Sequence, residues 1–250
     1  MSGHSHWARI KRAKASNDAK RGAQWSKLAR RIIVAARAGG GKTEENLELR
    51  YAIDDAKAAN MPKDTIAKAI KKGTGELGSV EYVRTVYEGY GPGGTAFLVD
   101  CLTDNRNRTA SDMRRIFERC GGQLGASGCV AWMFEQKGTF VLPAERTDED
   151  TLMEAALEAG ADDVQQDGAA FEVTCAPAAF RDVKQALADR GLEVESGEMA
   201  MVATNPMTPD ADTARSALKL MEALEDHDDV QNVYTNFEVP DEVLAEVAGS

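Results

Sequence analysis

Histidine, cysteine and long apolar segments are scarce in this chain of 250 residues. Of the three histidines, His4 and His6 lie near the N-terminus and His227 near the C-terminus, which leaves little for general acid–base catalysis. The four cysteines have no CxxC spacing, and a chain of this size has little need of disulfides, so we expect reduced thiols in the core. No run of about 18 apolar residues is present, and the N-terminus lacks the apolar stretch of a secretory signal. We therefore expect a cytoplasmic, non-enzymatic protein that has no membrane segment, metal or cofactor.

The formal net charge of −11 is distributed very unevenly along the chain. Residues 1–42 hold eleven Lys or Arg and one acidic residue, whereas residues 138–250 hold six basic and twenty-six acidic residues. Such asymmetry favours one region that binds phosphate and another that repels it, so that the protein is oriented on a polyanion. The alternative is a solvated basic face that binds nothing.

The positive charge comes from a basic segment at the N-terminus, which is the strongest functional signal in the composition. Lysine and arginine in such a cluster are suited to neutralise the phosphates of nucleic acid. The residues predicted to do so are Arg9, Lys11, Arg12, Lys14, Lys20, Arg21, Lys27, Arg30, Arg31 and Arg37. If about six of them contact phosphates, log affinity falls with log salt concentration at a slope of roughly −4 to −5.

A second phosphate contact is predicted in the segment DNRNRT, ahead of a helix expected from about residue 109 to 120. There Arg106 and Arg108 precede helical N–H groups, which favour anions. An alternative explanation is equally compatible with the sequence: Asp104 and Asn105 cap the helix while Arg108 pairs with Asp112.

The N-terminal part of the chain has the periodicity of three helices. Apolar residues at helical spacing follow residue 17, and a glycine cluster at residues 39–41 ends that segment. A second helix is predicted from Thr43, as its N-cap, to about residue 59. A third is predicted from Pro62, at the first helical position, to Gly73. These helices predict one small bundle.

The remainder alternates between β-rich and helical segments, and this pattern predicts an α+β, multidomain fold. The glycine-rich stretch YEGYGPGG is predicted to form a tight hairpin. Residues 138–202 have the βαββαβ order of a ferredoxin-like unit. We predict a basic N-terminal helical domain at 1–75, a discontinuous α+β domain at 76–137 and 203–250, and a ferredoxin-like domain at 138–202 inserted into it.

Six segments of the chain closely resemble the YebC/PmpR family: GHSHW, DAKRG, KLARRI, YEGYGPGGTA, DNRNRT and DEDTLMEAALEAGADDV. This family includes mitochondrial translational activators of cytochrome c oxidase, and the similarity runs nearly end to end. The resemblance implies a helical domain and two α+β domains in a cytoplasmic protein named for transcriptional regulation through DNA binding. Other members act in translation at the ribosome. The family's basic pattern maps onto Lys11, Lys14, Lys20, Arg21, Lys27, Arg31 and Arg37. This chain departs from it at His6, where many relatives have lysine.

Three functional hypotheses follow. The first is a DNA-binding transcriptional regulator whose acidic domains restrict orientation or recruit transcription proteins. The second is a ribosome-associated translation factor that contacts ribosomal RNA and ribosomal proteins, since no recognition-helix signature is visible. The two differ in whether excess ribosomal RNA strips the protein from DNA. The third is an enzyme or metal-binding protein with a basic tail, which requires a titratable cluster around His227.

Overall fold

The computed structural model describes residues 18–78, 80–240 and 243, and within them the side chains from residue 22 onward except that of residue 167. In the described ranges the helices are α1 (Asp18–Gly39), α2 (Leu47–Ala58), α3 (Lys63–Gly73), α4 (Arg106–Arg119), α5 (Glu149–Glu158), α6 (Phe180–Asp189) and α7 (Ala211–Glu225). The strands are β1 (Val83–Tyr90), β2 (Ala96–Thr103), β3 (Gln123–Leu124), β4 (Phe134–Pro143), β5 (Ala161–Asp167), β6 (Ala170–Cys175), β7 (Ser196–Ala203) and β8 (Val230–Thr235). These elements confirm the predicted α+β class.

Helices α1, α2 and α3 form one bundle, which we call the helical unit (residues 18–78). Its core contains Leu28, Ile32 and Ile33 of α1, which pack against Leu49 and other apolar residues of α2 and α3. Ile32 and Leu49 are completely buried. Half-buried Trp25 closes the edge of the bundle, because its Nε1 donates to the carbonyl of Ala59 at 2.9 Å. The predicted helical bundle is confirmed.

The start of α2 differs from the prediction. Its N-cap is Asn46 rather than Thr43, and the Asn46 side chain accepts a hydrogen bond from the Leu49 amide at 3.0 Å. The same side chain donates to the carbonyls of Ala35 (2.7 Å) and Gly40 (2.9 Å) at the end of α1. The amide NH2 group has two donors and the amide oxygen accepts, whereas a threonine hydroxyl has one donor and cannot donate to both carbonyls. Asn46 therefore joins two helix ends.

The first sheet has the strand order β3-β1-β2-β8, and neighbouring strands are antiparallel. The hairpin predicted from YEGYGPGG is confirmed, since β1 pairs with β2 along its whole length. Its connection is the short helical turn Pro92–Gly94, where Gly93 has a φ of 67° that favours glycine. Helices α4 and α7 cover one face of the sheet, around Phe97 and Phe117.

The second sheet unit (residues 134–203) has the strand order β5-β6-β4-β7 and two helices, α5 and α6, around the core residues Phe140, Leu152 and Leu187. This is the βαββαβ arrangement that the sequence predicts. Strand β4 begins at Phe134, ahead of the predicted segment TFVLP, because its first half pairs with the end of β7. The chain of this unit lies between β3 and β8 of the first sheet, so the unit is inserted in it. The exact domain boundaries stay a prediction.

The second faces of the two sheets pack against each other. Leu98 and Tyr234 of the first sheet share an apolar cluster with Phe134 and Ala200 of the second. All four cysteines are free thiols: Cys101 and Cys175 are buried, whereas Cys120 and Cys129 are half-buried. None of the helices in the described ranges is long and apolar enough to cross a membrane.

Candidate nucleic-acid interface

Part of the predicted interface lies outside the described residues. Arg9, Lys11, Arg12 and Lys14 precede residue 18, as do His4 and His6. The backbone of Lys20 and Arg21 belongs to the first turn of α1, but their side chains are outside the description. The predicted role of these residues stays a prediction.

Two of the predicted residues, Lys27 and Arg30, contact the opposite end of the chain. The Lys27 ammonium donates to the backbone carbonyl of Glu225, at the end of α7. The Arg30 guanidinium donates to the carbonyl of Asp228 and lies 3.4 Å from the Asp229 carboxylate. The C-terminal end of a helix carries partial negative charge on its free carbonyls, which favours cations there. Lys27 and Arg30 therefore fasten α1 to the end of α7.

Asp229 is the centre of this contact, and its side chain is only 3% exposed. It accepts hydrogen bonds from the Thr109 hydroxyl at 2.7 Å and from Arg108 at 3.1 Å. Burial acts to raise the pKa of Asp229. The bonds from Thr109 and Arg108 and the charge of Arg30 outweigh burial, so the pKa lies below the ordinary value of 3.8. The buried carboxylate thus stays charged and holds two cations.

Two further predicted residues form ion pairs at the surface of the helical unit. Arg31 lies 2.9 Å from Asp55 of α2, and about half of each side chain is exposed. Arg37 lies 3.3 Å from Glu81 in the segment that leads to β1. Exposed pairs of this kind contribute little free energy, so solvent ions and phosphates can replace them. Arg31 and Arg37 remain available to an anionic ligand.

The segment DNRNRT enters α4 earlier than predicted. Helix α4 begins at Arg106, so Arg106 and Arg108 lie in its first turn and not before it. Asn105 caps the helix, because its side chain accepts from the Arg108 amide at 3.1 Å, which confirms that part of the capping alternative. The predicted pairing of Arg108 with Asp112 is wrong. Arg108 pairs with Asp104 at 2.7 Å and with Asp229, since these carboxylates lie at the N-terminal end of α4.

Arg106 differs from Arg108 in its surroundings. Its side chain is exposed and forms no ion pair with another described residue. Only its backbone is engaged, through the carbonyl that accepts the Tyr87 hydroxyl at 3.1 Å. Arg106 is therefore the arginine of this turn that is open to a ligand.

Helix α3 carries a basic face that the composition did not reveal. Lys68, Lys71 and Lys72 are exposed, opposite the buried Ile66 and Ala69, and none of them forms an ion pair with another described residue. Their spacing of three and four residues places them on one side of the helix. This spacing is visible in the sequence. The net charge of residues 43–75 does not reveal it, because six basic and six acidic residues cancel there.

An enzyme or metal-binding protein would require a titratable cluster around His227. His227 Nε2 lies 3.5 Å from Asp112, and His227 Nδ1 accepts from the Asp229 amide at 3.1 Å. These contacts hold residues 225–229 in place. Among the described residues no group of three or more His, Cys, Asp or Glu side chains is arranged to hold a metal ion.

Comparison with known proteins covers the whole chain. Residues 5–76 match the TACO1/YebC protein N-terminal domain, and residues 82–237 match the TACO1/YebC second and third domain. A protein of Rubrobacter xylanophilus is 54% identical, with full coverage of both chains, and is named a probable transcriptional regulatory protein. A Dictyoglomus turgidum protein of the same name is 51% identical over 98% of each chain. Both names describe regulation and not catalysis.

A solved structure supports the same assignment. The crystal structure of a conserved hypothetical protein, Aq1575 from Aquifex aeolicus, is 46% identical and superimposes with a TM-score of 0.81. The match covers 89% of this chain and 92% of the Aquifex chain. The predicted resemblance is therefore confirmed, and the chain belongs to the TACO1/YebC family.

Proposed function

We propose that this protein is a transcriptional regulatory protein that binds DNA through its basic N-terminal segment and helical unit. The observation that carries the proposal is the concentration of positive charge at one end: residues 1–42 contain eleven Lys or Arg and one acidic residue. A duplex presents a dense row of phosphates, and neutralising several of them supplies most of the affinity of such a protein. The names of the relatives support the regulatory role.

The described residues extend the proposed surface beyond the N-terminal segment. Arg31 and Arg37 contribute from α1, and the lysines of α3 add charges that no described carboxylate neutralises. We propose that these two helices add phosphate contacts to those of the N-terminal segment. Acidic side chains dominate residues 138–250 and repel DNA, so the protein meets the duplex with its helical end. A cytoplasmic location stays a prediction.

The test uses two double charge reversals that change the net charge equally. The first variant, Lys20→Glu with Arg31→Glu, alters α1. The control, Arg181→Glu with Lys219→Glu, alters exposed residues of the acidic region 138–250. Binding of a fluorescent DNA duplex is followed by anisotropy over a range of salt concentrations. We expect the α1 variant to lose about tenfold or more in affinity and its salt slope to become shallower by about 2. Equal effects of the two variants contradict the proposed surface.

Ribosomal RNA is the decisive competitor. A transcriptional regulator is expected to retain its promoter site in the presence of excess ribosomal RNA, because base or shape readout adds to the phosphate contacts. A translation factor is expected to leave the DNA under the same conditions. Loss of the promoter complex to ribosomal RNA therefore overturns the DNA assignment in favour of a role in translation.

A further inference from the structure

The turn after α7 offers oxygen atoms to Lys27 and Arg30 much as a phosphate group would. We call residues 225–229 the 225–229 turn. It presents the carbonyls of Glu225 and Asp228 and the carboxylate of Asp229 to the two cations. Lysine and arginine bind phosphate through the same charge-assisted hydrogen bonds to several oxygens. Lys27 and Arg30 therefore already hold oxygen atoms of a segment of the same chain.

We propose that the 225–229 turn is an internal competitor for nucleic acid: it occupies the phosphate site formed by Lys27 and Arg30, and bound phosphate displaces it. The inference rests on the proposed function, because it concerns regulation of the same basic surface. In this proposal Asp229 holds Arg30 and so affects nucleic-acid binding without contacting the ligand.

The geometry makes Arg30 the removable partner of Asp229. When Arg30 leaves, the carboxylate keeps its bonds to Arg108 at 3.1 Å and to Thr109 at 2.7 Å, so no unpaired buried charge results. The Thr109 hydroxyl also lies 2.7 Å from the Thr103 hydroxyl, and this contact holds it beside Asp229. The acid is therefore stable in both states, and Lys27 and Arg30 are the groups that change their partners.

The charge of the turn gives the competition its direction. Four of its five residues, Glu225, Asp226, Asp228 and Asp229, are acidic. While the turn covers Lys27 and Arg30, these two cations cannot contact the ligand. The acidic residues of the turn also add negative charge to the basic surface. Both effects weaken binding of a polyanion. Release of the turn restores the two cations, so apparent affinity depends on the fraction of molecules in which the turn is released.

The chain supplies a matched pair of variants for the test. Asp229→Asn and Asp228→Asn remove the same charge from the same turn. Asp228 contacts Arg30 only through its backbone carbonyl, which the substitution leaves in place, whereas Asp229 contacts it through the carboxylate. We expect Asp229→Asn to bind a fluorescent DNA duplex roughly three- to tenfold more tightly than Asp228→Asn. Equal affinities of the two variants overturn the inference.

A measurement on the wild-type protein keeps the inference testable if Asp229→Asn does not fold. Hydrogen exchange is followed by mass spectrometry with and without the DNA duplex. Amides of the turn are held by internal bonds, such as His227 N–H to the Leu224 carbonyl at 3.1 Å. If phosphate displaces the turn, these amides exchange faster in the complex, while peptides of the second sheet unit are unchanged. Unchanged or slower exchange in the turn contradicts displacement.

The two proposals fail differently. If the wild-type protein binds DNA and both variants bind equally, the internal competitor is wrong and the proposed function stands. If neither the wild-type protein nor either folded variant binds DNA, the proposed function is wrong and the competitor falls with it.

Discussion

The helical unit and the second sheet unit carry opposite charges and place their ion pairs differently. In the second sheet unit, ion pairs such as Arg190 with Glu154 at 3.0 Å join residues of the same unit. In the helical unit, Lys27 and Arg30 reach the 225–229 turn, about 200 positions along the chain. The cations of the second sheet unit are thus used within that unit, whereas two cations of the helical unit contact another part of the molecule. Positive charge of the helical unit therefore connects it to the 225–229 turn.

The largest expected effect separates the two units by their cores. Ile32 and Leu152 are both completely buried, the first in the helical unit and the second in the second sheet unit. Ile32→Ala and Leu152→Ala should each lower the free energy of unfolding by about 2–5 kcal/mol, because each leaves a cavity. Only Ile32→Ala should also weaken DNA binding strongly. The measurements are chemical denaturation and anisotropy with a DNA duplex.

The control for this prediction is Leu47→Ala, since Leu47 belongs to the helical unit but is 55% exposed. It should change the free energy of unfolding by less than about 0.5 kcal/mol. A loss of DNA binding in Leu152→Ala equal to that in Ile32→Ala would show that the units do not act separately.

A smaller effect tests the contact between the helical unit and the 225–229 turn. Asp229→Ala leaves Arg108 and Thr109 without their shared acceptor and should cost about 2 kcal/mol. Because the pKa of Asp229 is lowered in the folded protein, its contribution to stability is present above the ordinary value of 3.8 and is lost as pH falls through the folded pKa. Denaturation of the wild type and the variant across this range should show converging stabilities at low pH. A constant difference contradicts the assignment.

The lysine face of α3 should produce a change in affinity and not in stability. Lys71→Glu with Lys72→Glu should weaken DNA binding by about tenfold, because two exposed charges that face no described carboxylate are reversed. The free energy of unfolding should change little. The matched control is Arg181→Glu with Lys219→Glu. An affinity loss in the control equal to that in the lysine variant would mean that only net charge matters.

The smallest effect belongs to the exposed pair of Arg31 and Asp55. Asp55→Asn should lower the free energy of unfolding by less than about 1 kcal/mol, because both side chains are about half exposed. The same substitution frees Arg31 and should slightly strengthen DNA binding. Chemical denaturation measures the loss of stability, and anisotropy with a DNA duplex measures the gain in affinity. A cost well above 1 kcal/mol would show that the pair is structural.

The sequence was sufficient where a signal is local. Helical spacing predicted the bundle, and the alternation of segments predicted the βαββαβ unit that Phe140 and Leu187 now anchor. The start of α2 was predicted wrongly because Thr43 and Asn46 are both acceptable N-caps. The choice depends on the carbonyls of Ala35 and Gly40, which only the folded bundle brings to Asn46.

The candidate site was less predictable, for the same physical reason. The contact of Arg30 with Asp229 joins residues that are far apart in the sequence. The local sequence HDD at residues 227–229 does not indicate that its last acid is buried. Arg108 was expected to pair along its own helix with Asp112. It pairs instead with Asp229, which follows the end of α7. Pairings across the fold depend on topology. The lysines of α3 were predictable, since their helical spacing is in the sequence.

The most direct test is to crosslink the protein to nucleic acid in living cells and to identify both the nucleic acid and the crosslinked peptides. The account predicts enrichment of promoter DNA, with crosslinks in the N-terminal segment and the helical unit. A focused ribosomal RNA footprint, or crosslinks confined to the acidic second sheet unit, would contradict it.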